Sequence, residues 1–275
     1  MHWRWRDLEP FIERAAREVP IADVERRALI LANPAFGGET ATTQNLIGAF
    51  TVLEPGDKAP PHRHSAAAIR FATRAEGAVT IVNGRRCEMH EGDLVLTPPM
   101  CWHGHINQGR RRTVWFDAAN MPAILALDAS FFEPGRRDDE RFWEVGEEGA
   151  FQYRYPGEDM RRQLGAAPVG VDGAKTVRYT RNDEAVMPTL DLFLKRVGSR
   201  TKAQRATYNA ICLVASGEGR STIGEQRFEW SRHDVFTVPH WTWATHEARS
   251  AAADLFIVTD RAIYERLDLL REEFQ

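Results

Sequence analysis

Three histidines have a spacing that could place three imidazoles around one metal ion. His62 and His64 are separated by one residue, and His103 follows about forty residues later, behind a proline-rich turn and a tryptophan. Because side chains alternate along a β-strand, both imidazoles of an extended HRH segment would point to one face. A third imidazole from a neighbouring strand would complete three nitrogen donors on one side of a metal. The opposite side would stay open for a reactant.

The elements that must position these histidines are short strands separated by tight turns. From Asn45 onward the segments NLIGAFTVLE, AAIRFATR, AVTIVNG, DLVLTP and TVWFDAA are rich in Val, Ile, Thr and aromatic residues. Gly, Pro and Asp separate them, which predicts a β-sandwich or barrel. Residues 7–19 carry an apolar stripe that predicts a helix ended by Pro20, and residues 23–31 fit either a second short helix or the approach to a strand. The last segment, RAIYERLDLLREEF, is predicted to be helical.

The strand pattern returns near the end of the chain and indicates an internal repeat. DLVLTP at 93–98 aligns with DVFTVP at 234–239, and His103 aligns with Ala244. The segment that matches HRH, near TKAQRAT, contains no histidine. We therefore expect a second barrel that keeps the fold without the ligands, and one metal site per chain. No role is assigned to the remaining candidates, which are His90, His233, His240 and His246.

Composition excludes several classes of protein. The 275 residues include 43% hydrophobic and 27% charged residues, and the net charge of −3 gives no electrostatic reason to expect a nucleic acid or a membrane as partner. No apolar run approaches the ~20 residues of a membrane span, and the N-terminus lacks the apolar core of a signal peptide. Three scattered cysteines imply no disulfide framework. We expect a cytoplasmic enzyme or binding protein.

Four motifs resemble those of a known family. PGDKAPPHRH, EGAVTIVNG, EGDLVLTPP and CWHGH resemble the two halves of a cupin motif. The order H-x-H, IRF, W-H-x-H and WFDA resembles, over nearly the whole chain, the bicupin ring-cleaving dioxygenases that act on gentisate, salicylate or 1-hydroxy-2-naphthoate. The resemblance implies an all-β bicupin fold, with two double-stranded β-helix (jelly-roll) barrels and with N-terminal and connecting helices.

The implied domain organisation has four parts. They are an N-terminal helical arm (1–44), an N-terminal cupin with the metal site (45–122), a connector (123–186) and a C-terminal cupin lacking metal ligands (187–275). The connector is charged and rich in Gly and Pro, and we expect it to contain some helix and to pack through its aromatic residues. The resemblance also implies a homo-oligomer, either a dimer or a tetramer.

The resemblance implies Fe(II) as the cofactor, held by His62, His64 and His103. The general cupin pattern has a glutamate ligand four or five residues after the second histidine, but Ala68 and Ile69 stand at those positions here. The implied reaction is an extradiol-type cleavage, with O₂, of the C1–C2 bond of a small aromatic hydroxy acid during the degradation of aromatic compounds.

The resemblance also assigns roles to residues around the metal. Arg70 resembles the arginine that holds the substrate carboxylate, and strand alternation places it on the face of His64. Arg26 resembles an arginine that reaches the substrate end of the pocket. His105 resembles a histidine that donates or accepts a proton beside the oxygen and the substrate hydroxyl, and Asp117 resembles the aspartate that orients it.

One strand departs from the family. Where the family often has Trp, Gly and Gln lining the pocket, this chain has Ile47, Ala49 and Thr51. Losing an indole and an amide changes the shape and the hydrogen bonding around the substrate ring. We therefore expect a monohydroxylated or 5-substituted salicylate as substrate, with gentisate as a further candidate.

Two other functions use the same barrel. One is a non-catalytic cupin that binds a small aromatic acid or a sugar as a sensor, although no helix-turn-helix segment is evident. The other is a metal-dependent isomerase or hydrolase. Zinc in the site together with no O₂ uptake on a hydroxybenzoate would favour either of these over the dioxygenase.

Overall fold

The chain folds mainly into β-sheets, as the sequence predicts. The structure is a computed structural model that describes residues 1–136, 138–146 and 149–275. It divides into two compact units. The first unit comprises Glu9–Ala32 and Ile47–Asp159, and the second comprises Met1–Leu8, Asn33–Leu46 and Met160–Gln275. The four-part domain division made from the sequence stays a prediction.

The described part of the chain contains the following helices and strands, which form the sheets of the two units. In chain order they are β1 (His2–Trp3), α1 (Trp5–Glu18), β2 (Arg27–Ile30), β3 (Ile47–Leu53), β4 (Lys58–His64), β5 (Ala68–Arg74), β6 (Ala78–Val82), β7 (Arg85–Met89), β8 (Leu94–Thr97), β9 (His103–Asn107), β10 (Thr113–Ala119), α2 (Met121–Ala126), β11 (Phe132–Pro134), α3 (Glu140–Trp143), β12 (Arg154–Tyr155) and α4 (Gly157–Ala166). They continue with β13 (Lys175–Arg178), β14 (Thr180–Arg181), β15 (Glu184–Ala185), β16 (Asp191–Val197), β17 (Gln204–Ala206), β18 (Ala210–Ser216), β19 (Glu218–Ile223), β20 (Gln226–Ser231), β21 (Val235–Val238), β22 (Ala244–Ala248), β23 (Ala253–Thr259), α5 (Arg261–Arg266) and β24 (Glu272–Phe274).

The first unit is built from two sheets. One has the strand order β12-β8-β5-β10-β3-β2 and the other the order β11-β4-β9-β6-β7. The strands are apolar and β-branched, and alternate side chains of both sheets form a buried cluster that includes Leu53, Val82, Met89, Val95 and Trp115. This barrel interior is where the candidate histidines lie.

The second unit repeats this arrangement. Its sheets have the orders β1-β21-β18-β23-β16-β13 and β20-β19-β22-β17-β24, and a separate hairpin pairs β14 with β15. Val214, Trp230, Phe236 and Leu255 belong to its buried cluster. The sequence repeat therefore corresponds to a structural repeat.

A tail of one helix and one short strand follows the last long strand of each barrel. In the first unit α2 leads through Asp128 to β11, and in the second unit α5 leads through Asp268 to β24. Both aspartates have a left-handed backbone, with φ of 52° and 57°. The helix predicted over the final segment is therefore too long, because the left-handed turn at Asp268 ends it and β24 follows.

Two short segments of the connector, one near its start and one near its middle, also become strands. β11 pairs with β4, and β12 pairs with β8, so both join the sheets of the first unit. The expected helix in this region is present as α3 and α4. The predicted N-terminal helix is present as α1, and residues 23–31 form the approach to a strand, β2. Of the helices in the described part of the chain, none combines the length and the apolar character that crossing a lipid bilayer requires.

A buried aspartate holds the same turn in each repeat. Asp93 accepts hydrogen bonds from the backbone N–H of His90 at 2.9 Å and of Gly157 at 2.7 Å. Its counterpart Asp234 accepts from the N–H of Ser231 at 3.0 Å and of Trp5 at 2.7 Å. An aspartate side chain satisfies buried donors that a turn leaves without backbone partners.

We expect Asp234→Ala to lower the free energy of unfolding by about 2–4 kcal/mol, because it leaves buried N–H donors without an acceptor. Chemical denaturation followed by tryptophan fluorescence measures the change. Glu229→Ala, an exposed acid of the same unit paired with Arg249, is the control and should have little effect. An Asp234→Ala protein with the stability of the control would contradict the prediction.

Candidate metal centre

The three histidines come from two adjacent strands of one sheet. β4 carries His62 and His64, β9 carries His103, and the antiparallel register places His62 directly opposite His103. The register shifts between Ala59 and His62, where two prolines that lack backbone N–H groups interrupt the ladder. The bulge lets His62 and His64 share the inward face with His103.

The three imidazoles are close enough to bind one ion. One nitrogen of each ring lies within 4.8 Å of those of the other two. The centroid of the His103 ring is 4.2 Å from that of His62 and 4.9 Å from that of His64. All three side chains are buried. Within the described residues, no second group of three or more His, Cys, Asp or Glu side chains has this geometry.

Backbone carbonyls fix the tautomer of each ring. The bonds run from His62 Nδ1 to the Pro60 carbonyl at 3.1 Å, from His64 Nδ1 to the Ala66 carbonyl at 2.9 Å and from His103 Nδ1 to the Cys101 carbonyl at 3.0 Å. A carbonyl only accepts, so each Nδ1 must carry the proton. The lone pair of each neutral ring is therefore on Nε2, which is the tautomer that binds a metal.

The electrostatic surroundings keep these rings neutral. Burial, followed by the charge of Arg26, lowers the pKa of His62 to about 3, and burial followed by the charge of His62 lowers the pKa of His64 to about 4. Burial lowers the pKa of His103 well below its ordinary value. The Nε2 atoms of His62 and His103 are buried and have no hydrogen-bond partner within the described residues. A divalent cation would satisfy both, so the site fits a bound metal.

The opposite sheet supplies a buried arginine. Arg70 on β5 is 1% exposed, and its Nη1 donates to the hydroxyl of Thr97 on β8. Its Nε is 3.6 Å from Asp117 Oδ1 and has no hydrogen-bond partner in the described part of the chain. Burial lowers the pKa of Arg70 to about 10, so the guanidinium stays charged at neutral pH. The edge formed by Nε and Nη2 is therefore available for a carboxylate.

Asp117 connects two other residues inside the barrel. On β10 it accepts a hydrogen bond from the hydroxyl of Thr51 and one from Trp115 Nε1 at 3.0 Å. The registers place Arg70 and Ala49 on either side of Asp117 in one row across the sheet. Asp117 therefore offsets the charge of Arg70 and positions Thr51 and Trp115.

His105 is held by a residue that the sequence reasoning missed. Thr80 on β6 lies opposite His105, and its hydroxyl is 2.9 Å from His105 Nδ1. This contact stands in place of the expected pairing of Asp117 with His105, because the Asp117 carboxylate accepts hydrogen bonds from Thr51 and Trp115. Trp115 links them indirectly, with its ring centroid 5.4 Å from that of His105. The Nε2 of His105 is buried and lacks a partner among the described residues.

The two neighbouring arginines of the approach segment have different environments. Arg27 is buried, donates to the Val19 carbonyl at 2.5 Å and pairs with Asp57, so it holds the backbone. Arg26 is partly exposed, and its charge contributes to lowering the pKa values of His62 and His105. Of the two arginines, Arg26 is therefore the one whose charge reaches these histidines, while Arg27 is engaged with Val19 and Asp57.

The strand that departs from the family lines the same interior. Ala49 and Thr51 are buried on β3, and Ile47 is partly buried two residues before Ala49. The hydroxyl of Thr51 is occupied by Asp117. The remaining two side chains are apolar.

A second feature missed from the sequence covers the ligand strand. β11 pairs with β4 so that Phe132 lies opposite His64 and Pro134 opposite His62. The Phe132 ring stacks on the His62 ring at 5.4 Å with an interplanar angle of 28°. The FFEP segment follows a helix within a charged connector and has no alternation long enough to predict a strand.

Comparison with known proteins agrees with this site. The family model of the cupin domain matches residues 49–119. The chain is 35% identical to 5-aminosalicylate 1,2-dioxygenase of Comamonas sp, over 98% of this chain and 80% of that protein. It is 33% identical to gentisate 1,2-dioxygenase of Streptomyces sp, over 98% of this chain and 84% of that protein.

A solved structure of a ring-cleaving dioxygenase is also similar to this chain over its whole length. The crystal structure of a salicylate 1,2-dioxygenase from Pseudaminobacter salicylatoxidans matches with a TM-score of 0.89 at 30% identity, covering 100% of this chain and 87% of that one. A bicupin fold with a three-histidine site defines a cupin of the metal-binding kind. This chain belongs to the family of gentisate, salicylate and hydroxynaphthoate 1,2-dioxygenases, which are ring-cleaving enzymes. Membership of this family favours a dioxygenase over the two alternatives that the sequence left open, a non-catalytic sensor and a metal-dependent isomerase or hydrolase.

Proposed function

We propose that this chain is an Fe(II)-dependent dioxygenase that cleaves the C1–C2 bond of a hydroxybenzoate, either a salicylate or gentisate, with O₂. The observation that carries the proposal is the set of three neutral imidazoles whose Nδ1 atoms are all occupied by backbone carbonyls. This leaves three Nε2 donors for one ion and no protein carboxylate among the candidate ligands.

Iron is the metal that we propose for this site, because the family resemblance implies it and the reaction requires a metal that exchanges electrons. Three imidazoles suit zinc, nickel, copper or iron, so the donor set alone does not choose among them. Zinc does not exchange electrons, and a reaction between dioxygen and an aromatic ring needs a metal that does. A ferrous ion held by His62, His64 and His103 would supply that electron exchange together with open positions for substrate and O₂.

Arg70 is proposed to bind the substrate carboxylate. Its guanidinium is buried, charged and engaged through Nη1 only, so Nε and Nη2 can donate two parallel hydrogen bonds. Asp117 keeps Nε in place from 3.6 Å. Arg26, at the partly exposed approach, is proposed to contact the distal part of the substrate.

His105 is proposed to handle a proton. Its Nε2 is buried without a partner within the described residues, and Thr80 holds its other nitrogen. Burial, and then the charges of Arg70 and Arg26, lower its pKa well below the ordinary value, so the ring is neutral. A neutral imidazole can hydrogen-bond to the substrate hydroxyl, and it could take up the hydroxyl proton only where the negative charge of the bound substrate raises the pKa of His105.

The substrate class follows from the lining of the pocket. Ile47 and Ala49 offer no hydrogen bond to a ring substituent, and the Thr51 hydroxyl is donated to Asp117. A pocket that offers no hydrogen bond to a ring hydroxyl discriminates only weakly between a substrate that carries this hydroxyl and one that lacks it. The substrate is therefore proposed to be salicylate or a 5-substituted salicylate. Gentisate would be turned over as well, without a strong preference for it. The first relative compared above carries the name of a 5-aminosalicylate dioxygenase, which supports this choice.

We expect the kcat/KM for gentisate to exceed that for salicylate by less than about tenfold, because the pocket lacks a partner for the 5-hydroxyl. O₂ uptake by iron-loaded enzyme with gentisate, salicylate and 5-aminosalicylate measures the three values. Ile47→Trp restores the indole that the family often has, and it should move the ratio towards gentisate. Ile30→Trp, on an exposed position of β2, is the matched control.

A gentisate preference of a hundredfold or more would contradict the substrate class and leave the dioxygenase in place. Iron-loaded protein that consumes no O₂ with any hydroxybenzoate would contradict the dioxygenase itself. Metal analysis of the purified protein belongs with this experiment. The homo-oligomer and the cytoplasmic location stay predictions.

A further inference from the structure

The second unit contains a cavity of about 340 Å³ that the dioxygenase site does not use. Strands β13, β16, β17, β18, β21, β22, β23 and β24 line it. Small-molecule sites in proteins usually begin at roughly 300 Å³, so a molecule with one ring fits. The cavity occupies the interior of the second barrel, as the metal site occupies the first.

Strand registers identify which residues replace the metal ligands. The pairs that correspond are His62–His103 with Gln204–Ala244, Thr80–His105 with Ser221–His246, and His64–Phe132 with Ala206–Glu272. All three ligand positions are therefore lost in the second unit, where they hold Gln204, Ala206 and Ala244. The histidine corresponding to His105, with its hydroxyl partner, is kept as His246 and Ser221.

The retained histidine has a defined tautomer. Trp230 Nε1 donates to Ser221 Oγ at 2.8 Å, and Ser221 Oγ is 2.8 Å from His246 Nδ1. Within the described residues, His246 Nδ1 is the acceptor available to the Ser221 hydroxyl. Burial lowers the pKa of His246 to about 3, so the ring is neutral and its proton lies on Nε2. His246 lines the cavity, and its Nε2–H is a donor for a ligand.

A lysine supplies positive charge inside this cavity. The registers show that Phe193, Ile257 and Cys212 replace the row Ala49, Asp117 and Arg70 of the first unit. Two residues along β16, Lys195 stands where the first unit has Thr51. Its Nζ donates to Asp172 at 2.7 Å, and its side chain is 12% exposed.

The rest of the lining combines apolar surface with cations. Phe193, Val238 and Ile257 form apolar walls. The Cys212 thiol adds no charge, because burial raises its pKa to about 12. Of the five Lys and Arg side chains in the lining, four are in ion pairs: Arg178 and Arg261 with Asp191, Arg205 with Glu273 and Lys195 with Asp172. An ammonium group has three donors, so Lys195 can bind Asp172 and an anion together.

We propose that the second barrel is a metal-independent binding site for a small organic carboxylate with an apolar body. The carboxylate accepts hydrogen bonds from Lys195 Nζ and His246 Nε2, and the body packs against Phe193, Val238 and Ile257. This site is separate from the metal centre, and the proposal rests on the function proposed for that centre only in the choice of Arg70→Met as the background for its test.

Benzoate is the probe, because it has the carboxylate and the ring but no ortho hydroxyl for chelating a metal. Its binding is measured by isothermal titration calorimetry on the full chain, without O₂. The first-unit site is disabled with Arg70→Met, which removes the proposed carboxylate partner there. We expect Arg70→Met protein to bind about one benzoate per chain. Adding Lys195→Met to that background should weaken the binding at least tenfold.

Val238→Phe provides a second variant in case the loss of Lys195 unfolds the barrel by stranding Asp172. It fills the cavity without touching the ion pair, and it should also abolish the binding in the Arg70→Met background. Lys175→Met, a lysine outside the cavity lining whose Nζ bonds to the Gly165 carbonyl, is the matched control and should bind normally. Failure of the Arg70→Met protein to bind benzoate at millimolar concentration would overturn the proposal. So would unchanged affinity in a folded Val238→Phe variant.

Discussion

His103→Ala enzyme should lose its metal and its ring-cleaving activity together. Purified protein reconstituted with Fe(II) is expected to fall from about one ion per chain to a small fraction of that, because two imidazoles remain of three. Removing a residue that merely orients a ligand often costs 10–100-fold, so loss of a ligand should lower kcat/KM by about 10³-fold or more. Iron analysis and O₂ uptake on the same preparation measure both effects.

His90→Ala is the matched control for that variant. His90 lies in the turn between β7 and β8 with a side chain that is 63% exposed, and Arg154 contacts it at 3.0 Å. The control should keep its iron and its activity. A His103→Ala enzyme that still opened the ring would remove His103 from the ligand set, and with it the basis of the proposed function.

Arg70→Met should raise KM strongly while leaving the iron content unchanged. The variant keeps the volume of the side chain but removes the charge and both donors that face the site. Losing one partner of a buried charged hydrogen-bonded pair costs about 2–5 kcal/mol, which corresponds to a loss in kcat/KM of about 30-fold to 5,000-fold. Arg70→Lys keeps the positive charge but loses the two parallel N–H donors of the guanidinium, so its kcat/KM should lie between those of the unaltered enzyme and Arg70→Met.

Arg74→Met controls for the loss of an arginine from the same strand. Arg74 lies four residues further along β5, is 47% exposed and pairs with Glu9. Its replacement should leave kcat/KM close to that of the unaltered enzyme. An Arg70→Met enzyme with unchanged KM and reduced iron would show that Arg70 supports the metal centre and does not bind the substrate.

The metal ligands could be predicted because their signal is local. A one-residue spacing in a strand fixes a shared face, and the structure places His62 and His64 on it. His103 needed one more step, the pairing of β4 with β9, which the turns between the strands favour. A second barrel without the ligand histidines could likewise be predicted, because the repeat preserves its turns, such as those at Asp93 and Asp234.

The residues that support the site could not be predicted in the same way. Thr80 reaches His105 only through the register of β6 against β9, and a threonine in a strand carries no sequence signal for that task. The aspartate expected there, Asp117, instead accepts hydrogen bonds from Thr51 and Trp115, which are neighbours in its own sheet. The sequence also could not separate Arg26 from Arg27, which differ in what surrounds them.

The tail that follows each barrel bears on how the chain arose. Helix, left-handed aspartate and short strand recur at matching positions, and the strand pairs with matching residues of β4 and β17. Duplication of one segment that extended past the barrel and included this tail would account for the match. The two units would then share a scaffold by origin, while within the described residues only the first carries the three-histidine group.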